Sequence, residues 1–311
     1  MVSENSIKKR TRLDRKFDKI LAAEEAGKLG KSKMSRALRK MLENRLAVLG
    51  AIIFFIIIFM CFFAPLFSSY DPQATDLRAM LQKPSWEHLF GTDKLGRDVF
   101  TRVLYGGRRS ILIGLGSALG AAVIGVLFGS YGGYKGGKFD KLVLRFSEIF
   151  MSFPQLILVM MLGTIFGRGL QNLIFIFILT GWGGVYRQVR AKMLSLREEE
   201  YVQAMRAFGV NDYVIAYKHM LPNAIGPVIV NLTLSTAMFI LEEAAMSFLG
   251  LGVPPELATW GNILNAAQEL YVMQNYWWLW LPVGAVVSLF VISINLIGDG
   301  LRDSTDPTQQ G

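Results

Sequence analysis

The stretch LAVLGAIIFFIIIFMCFFAPLF, residues 46–67, runs for 22 residues without a charge. A helix rising ~1.5 Å per residue needs about 17–25 predominantly apolar residues to cross a hydrocarbon core about 30 Å thick. The run exceeds the roughly 7–15-residue apolar core of a cleavable signal and follows 45 residues of tail, so it reads as a membrane helix. Five further uncharged stretches follow, at 110–131, 149–166, 170–186, 224–241 and 276–297. The fold class expected is therefore all-α and polytopic, with six transmembrane helices.

Composition agrees. The chain has 311 residues, 52% hydrophobic and only 18% charged, with a mean hydropathy of +0.37. A soluble domain carries roughly 25% charged residues. The net charge of +9 does not require a nucleic-acid partner, because 14 of the 33 Lys and Arg precede residue 46. Six spans put both termini on one side. If that side is the cytoplasm, the inner segments hold 25 Lys and Arg and the outer ones 8, of which seven lie in the loop 68–109. The positive-inside rule favours this orientation. Cys61, the single cysteine, cannot form an intrachain disulfide and says nothing about redox compartment.

Four regions follow. Residues 1–45 are a basic cytoplasmic tail. In it Met34, Leu38, Met41 and Leu42 recur at helical spacing among cations, which fits an amphipathic helix on the inner leaflet or a solvated lead-in to the first span. Residues 46–109 hold the first span and an external loop. There Val99, Phe100, Val103 and Leu104 share a helical face over 97–105, and Gly106-Gly107 is expected to stop that helix. Residues 110–300 form a core of five spans, with a cytoplasmic loop at 187–223, and 301–311 a cytoplasmic tail. In the second span Gly116 aligns with Gly120, and Ala121 with Gly125 and Gly129, spacing that lets helix backbones approach closely in lipid. Spans three and four are joined by Gly167-Arg168-Gly169 alone, an antiparallel hairpin. Beyond span five, Leu257, Trp260, Ile263, Leu264, Ala267 and Leu270 read as one helix at the outer surface. Tyr276, Trp277, Trp278 and Trp280 then form an interfacial aromatic belt.

Several motifs dissolve on inspection. GGYKGGK, residues 132–138, matches the start of a phosphate loop, but Phe139 stands where Ser or Thr must hold magnesium and no strand is expected before it. Asn231-Leu232-Thr233 resembles a glycosylation acceptor inside a span. His88 and His219 fall on opposite sides of the membrane, and no Cys/His cluster or local Ser/His/Asp set exists, so neither a metal site nor an enzyme is expected. Arg145 and Glu148 are spaced as a local ion pair. Glu242 and Glu243 close the fifth span, where water at the outer interface is expected to satisfy them; a proton relay is the alternative.

Between spans four and five lies YVQAMRAFGVNDYVIAYKHMLPN, residues 201–223. Glu198, Glu199 and Glu200 suit a helix N-terminus, Val202, Met205 and Phe208 make an apolar side, and Gly209 ends the helix at a left-handed position. Asn211 or Asp212 can cap a second short helix running through His219, with Pro222 near its end. Two short helices at an angle form a rigid knob in water. A DNA-reading helix-turn-helix would need a small residue at Met205 and a supporting core, so docking into another protein fits better.

This stretch resembles the EAA loop of ABC importer permeases. Gln203, Ala204 and Met205 stand at its first three places, followed by Gly209, His219 and Leu221-Pro222; Ala204, Gly209, Leu221 and Pro222 match, while Gln203, Met205 and His219 depart. FGTDKLGRDVFTRVLYGGRRSI, SFLGLGVPPELATWGNIL and NLIGDGLRDSTDP are similar to the second permease subunit of dipeptide and oligopeptide importers. The resemblance implies a type I importer permease fold and a heterodimer with a related permease. It also implies two ATPase subunits that bind ATP and magnesium, an extracytoplasmic solute-binding protein, and no cofactor or nucleic acid in this chain. The knob would be the coupling helix, contacting an ATPase through Gln203, Ala204, Arg206, Ala207, Gly209, Asp212, Leu221 and Pro222. Short peptides are the implied cargo, with nickel, glutathione or another small solute as the alternative. An ion-coupled secondary transporter using Glu242 or Glu243 leaves the knob unexplained.

Overall fold

The computed structural model describes residues 41–305, whose regular elements are all helical, with a single isolated bridge between Thr92 and Asp98 in place of any strand. Helix α1 (Arg45–Phe62) begins where the Asn44 side chain accepts hydrogen bonds from the amides of Leu46 and Ala47, at 3.0 and 3.3 Å. It is followed by α2 (Val99–Lys135), α3 (Gly137–Met151), α4 (Gln155–Phe166) and α5 (Leu170–Arg197). Then come α6 (Glu200–Ala207), a π-helical segment (Val214–Met220) leading into α7 (Leu221–Phe248), the short α8 (Trp260–Leu264) and α9 (Leu270–Asn275), and α10 (Leu281–Thr305).

Helices α2 and α5 run parallel and in near backbone contact. A Cβ added to Gly125 would lie 2.6 Å from Val185 Cβ, one on Gly129 2.8 Å from Val189 Cβ, and one on Gly133 2.7 Å from Met193 Cβ. These glycines recur every four residues and so share one face of α2. The close approach expected of Gly125 and Gly129 is therefore present, and it extends to Gly133. On the opposite flank α1 and α10 are antiparallel, with Gly50 against Leu296 and Gly300 against Ala47. The chain ends of the described region thus lie on the same side, together with the far end of α2 and the segment 200–213. The segments 63–98 and 249–280 pack together on the other.

Among the described residues, four helices are long and apolar enough to cross a membrane: α1, α2, α7 with its π-helical lead-in, and α10. A bent pair, α3 with α4, makes a fifth if it is one span. Helix α5 has the length, but Arg187, Arg190, Lys192 and Arg197 crowd its last part and leave only the run 170–186 apolar. The molecule is a multi-pass membrane protein.

Several expected elements differ. The third run is not one helix: α3 and α4 meet at 91° across residues 152–154. Pro154 has no amide proton to donate and pushes Phe153 out of the α region, so the ladder breaks there. Gly106-Gly107 does not stop a helix. Helix α2 runs through both glycines, whose missing side chains admit the Thr259 backbone and the Trp260 ring; a Cβ on Gly107 would lie 2.4 Å from Cys61 Sγ. The outer-surface helix is three pieces, α8, a 3₁₀ turn (Asn265–Gln268) and α9, because Glu269 is extended. The aromatic belt is divided: Trp277 is half exposed, whereas Trp278 is buried in the core with Trp260 and Phe290. The amphipathic reading of 34–42 lies largely outside the described residues.

Replacing Gly129 by Val forces α2 and α5 apart, an overpacking cost of about 1–3 kcal/mol. The thermal midpoint of the detergent-solubilised full-length protein should fall by several degrees. Gly184→Ala, whose new methyl meets nothing within 4 Å, should leave that midpoint unchanged.

Candidate functional site

Helix α6 begins just after α5 and ends in a Schellman arrangement. The Gly209 amide donates to the Arg206 carbonyl and the Val210 amide to the Met205 carbonyl, both at 3.0 Å, and Gly209 has φ +71°. Its left-handed conformation is as the sequence predicts. An added Cβ there would meet nothing within 4 Å, so only the backbone conformation demands glycine.

The chain then turns at Asn211, whose side chain accepts from the Tyr213 amide at 2.9 Å. The second helix is not short. It enters the π-helical segment and continues as α7 to Phe248, so Pro222 sits near the start of a long helix instead of ending a short one. The π-helical segment closes with the Leu221 amide on the Ala216 carbonyl, and Pro222 falls in the first turn of α7, where a missing amide proton is tolerated.

A side-chain clasp fixes the knob to α2. The Tyr134 hydroxyl donates to Asp212 Oδ1 at 2.7 Å and accepts from Arg206 Nε at 3.1 Å. The Arg206 guanidinium also lies over the Tyr134 ring, 4.6 Å from its centroid. Arg206 and Asp212, assigned by resemblance to ATPase contact, are thus joined to each other through a residue 72 positions earlier than Arg206. Tyr213 stacks on Tyr131, and the Tyr217 hydroxyl donates to the Leu127 carbonyl at 3.3 Å. Beneath, Val202 is fully buried with Met193, Ile215 and Met220, and Met205 and Leu221 pack against this cluster. Close by, Arg190 grips Asp140 with two hydrogen bonds of 2.6 Å, and the Tyr186 hydroxyl donates to the same carboxylate at 2.9 Å, which ties α3 to α5.

Much of the knob's surface remains exposed. Gln203, Ala204, Ala207 and Gly209 are exposed together, and Gln203 spends one amide hydrogen on the Glu198 carbonyl. Phe208, expected on the inward apolar side, is instead 87% exposed. As the residue capping α6 just before the left-handed turn, it is rotated off the face that Val202 and Met205 share. Pro222 is exposed, on the α7 helix and not on the knob. Sequence reasoning missed Tyr134, Tyr131 and Asp140, for which no local pattern exists.

The two acidic residues of α7 also separate. Arg145 and Glu148 do form their local pair, at 2.9 Å, but Glu243 does not sit in interfacial water. It is completely buried, accepting from Ser110 Oγ at 2.9 Å and Ser247 Oγ at 2.8 Å, while Ser110 accepts from the Trp260 amide. The reason is that α7 continues past Glu243 to Phe248 and the segment 249–262 folds back over it. Glu242 is half-buried and accepts one bond, from Gln155 Nε2 at 3.1 Å.

Residues 121–310 match the family model described as binding-protein-dependent transport system inner membrane component. Residues 32–84 match that of the N-terminal TM domain of oligopeptide transport permease C. The oligopeptide transport system permease protein OppC of Bacillus subtilis is 40% identical over 286 residues, covering 92% of this chain and 93% of that protein. The dipeptide transport system permease protein DppC of the same organism is 38% identical over 271 residues, 87% of this chain and 84% of that protein. Its counterpart in Alkalihalophilus pseudofirmus is 39% identical over 271 residues, 87% of this chain and 88% of that protein.

Tyr134→Phe keeps the ring beneath Arg206 and removes the hydroxyl that bridges to Asp212. Losing a bond to a charged group costs about 1.5–3 kcal/mol. Amide hydrogen exchange over residues 200–213 should therefore accelerate by about tenfold or more, with α5 unaffected; unchanged exchange would mean that the clasp does not hold the knob.

Proposed function

The chain belongs to the family of binding-protein-dependent transport system inner membrane components, and we propose that it imports short peptides as one of two permease subunits of an ATP-driven transporter. The carrying observation is the knob at 200–213: clasped to α2, continuous with α7, and presenting Gln203, Ala204, Ala207, Phe208 and Gly209 on its exposed surface. A surface held at one angle and left uncovered suits a partner that pushes on it. In this reading the occupant is a groove on one of two ATPase subunits, which bind ATP and magnesium; a second permease completes the pathway and a solute-binding protein delivers the peptide. Peptide cargo is favoured over nickel, glutathione or another solute by the names of the relatives, two of which are dipeptide and one an oligopeptide permease.

The mechanism follows from rigidity. ATP binding closes the ATPase pair, the knob follows its groove, and the displacement passes through Tyr134 to α2 and through the π turn to α7. The spans then rearrange to accept peptide from outside. The topology proposed is six spans in the cell membrane, with α3 and α4 together making the third, α5 the fourth, and both termini and the knob in the cytoplasm. Gln203, Ala204, Ala207 and Gly209 would contact the ATPase. Arg206 and Asp212 would hold the angle, with Leu221 and Pro222 shaping the entry into α7.

Orientation is checked by impermeant thiol labelling in a Cys61→Ala background. A cysteine at Gln73 should label in intact cells and one at Asn211 should not; the reverse pattern would invert the topology.

Function is checked at Gly209. A β-branched side chain strains a left-handed residue by roughly 1–2 kcal/mol, which tilts the knob while the spans stay packed. Gly209→Val should insert at normal abundance yet lose peptide uptake and stimulated ATP hydrolysis in proteoliposomes holding the whole assembly. Wild-type values for both would remove the knob from the mechanism.

A further inference from the structure

A cavity of about 380 Å³ lies where the α3–α4 break faces α5 and α7, within the roughly 300–1,000 Å³ of small-molecule sites. Gln155, Thr180, Asn231 and Ser235 contribute its polar atoms, and Phe150, Met238 and Phe239 its apolar wall. Asn231, Ser235 and Met238 recur at spacings of four and three, which puts them in a stripe along α7 that Glu242 continues one turn further. Glu242 reaches the cavity through Gln155, a lining residue whose amide donates to its Oε2.

The charge balance at this point is incomplete. Glu243, its neighbour, has a serine hydroxyl on each carboxylate oxygen. Glu242 has one amide donor and no cation in bonding range among the described residues. A carboxylate within a span is costly unless something compensates it. Part of the compensation is already built: Gln155 is the first residue of α4, whose positive dipole end favours a nearby anion. That arrangement offsets part of the cost of a negative charge there, and it leaves Oε1 available to a further donor.

We propose that the cavity and Glu242 form a binding site for a primary ammonium group, such as the amino terminus of a peptide, with the remainder of the molecule over the Asn231–Ser235 stripe and the apolar wall. The peptide assignment rests on the importer reading; the ammonium site rests on the geometry alone. A dipeptide or tripeptide would halt there with its charged end met by Glu242, so that an otherwise apolar passage tolerates an ionised cargo.

The test reads local charge without requiring transport. Ser235→Cys, in full-length protein lacking Cys61, is labelled in nanodiscs with a trimethylammonium-ethyl and a sulfonatoethyl methanethiosulfonate. The cation should react faster than the anion, and Glu242→Gln should lower the ratio of rates by about tenfold or more, as expected for a charge two turns, roughly 10 Å, away at an effective dielectric near 20. Glu242→Asp should retain most of the bias, which guards against a folding artefact. Excess butylammonium, or a tripeptide with a free amino terminus, should slow labelling with Glu242 present and not with Gln; the N-acetylated tripeptide should not slow it. An unchanged ratio in Glu242→Gln, equal protection by the acetylated peptide, or a cysteine inert to both reagents would each overturn the site. A cation bias with butylammonium protection in a chain whose assembly never imports peptide would overturn only the importer reading.

Discussion

Backbone contact between α2 and α5 is the constraint on which the molecule depends. Within lipid the tails are as apolar as the side chains, so helices gain little from hiding leucine and adhere by packing and hydrogen bonds instead. Gly125, Gly129 and Gly133 remove the side chains from one face of α2, and Val185, Val189 and Met193 fill the space. The 37-residue α2, about 55 Å long at 1.5 Å per residue, therefore behaves as a strut. Its early turns carry the Thr259 backbone and the Trp260 ring against Gly106 and Gly107, and its last turn carries Tyr134 to the knob.

The knob is held at both ends. A loop that flexed would absorb displacement, whereas the Schellman turn at Gly209, the Arg206–Tyr134–Asp212 clasp and the buried Val202 each remove a degree of freedom. The π turn before Pro222 lets α7 begin within the knob itself. Helix α6 is thus joined to two long helices, and α3 is tied to α5 by the Asp140–Arg190 pair on the same side.

Glu242 and Glu243 show how position on a helix decides chemistry. Adjacent residues on an α-helix point about 100° apart. One carboxylate turns into the α2–α7–α8 junction and is satisfied by hydroxyls; the other turns toward the break in the α3–α4 pair, beside a polar cavity. The first ties the segment after α7 to the bundle, and the second has a single donor.

Sequence alone determined what depends on local chemistry. Uncharged runs of membrane length, the cation asymmetry, the small-residue stripe on α2, the ion pair of Arg145 and Glu148, and the left-handed Gly209 all follow from residues within a few positions of one another. The EAA-like loop and its companion motifs carried the family for the same reason. Tertiary structure decided whatever depends on a distant partner. Gly106-Gly107 read as a stop until Thr259 and Trp260 supplied a reason for missing side chains, and Pro222 read as an end until it fell in the first turn of α7. Averaging hydropathy over 149–166 concealed the bend at Pro154, because hydrophobicity is blind to a missing amide proton. Glu243 left interfacial water, Phe208 left the apolar face, and Tyr134 joined two charges, because burial and hydrogen bonding are settled by neighbours that the chain brings together only on folding.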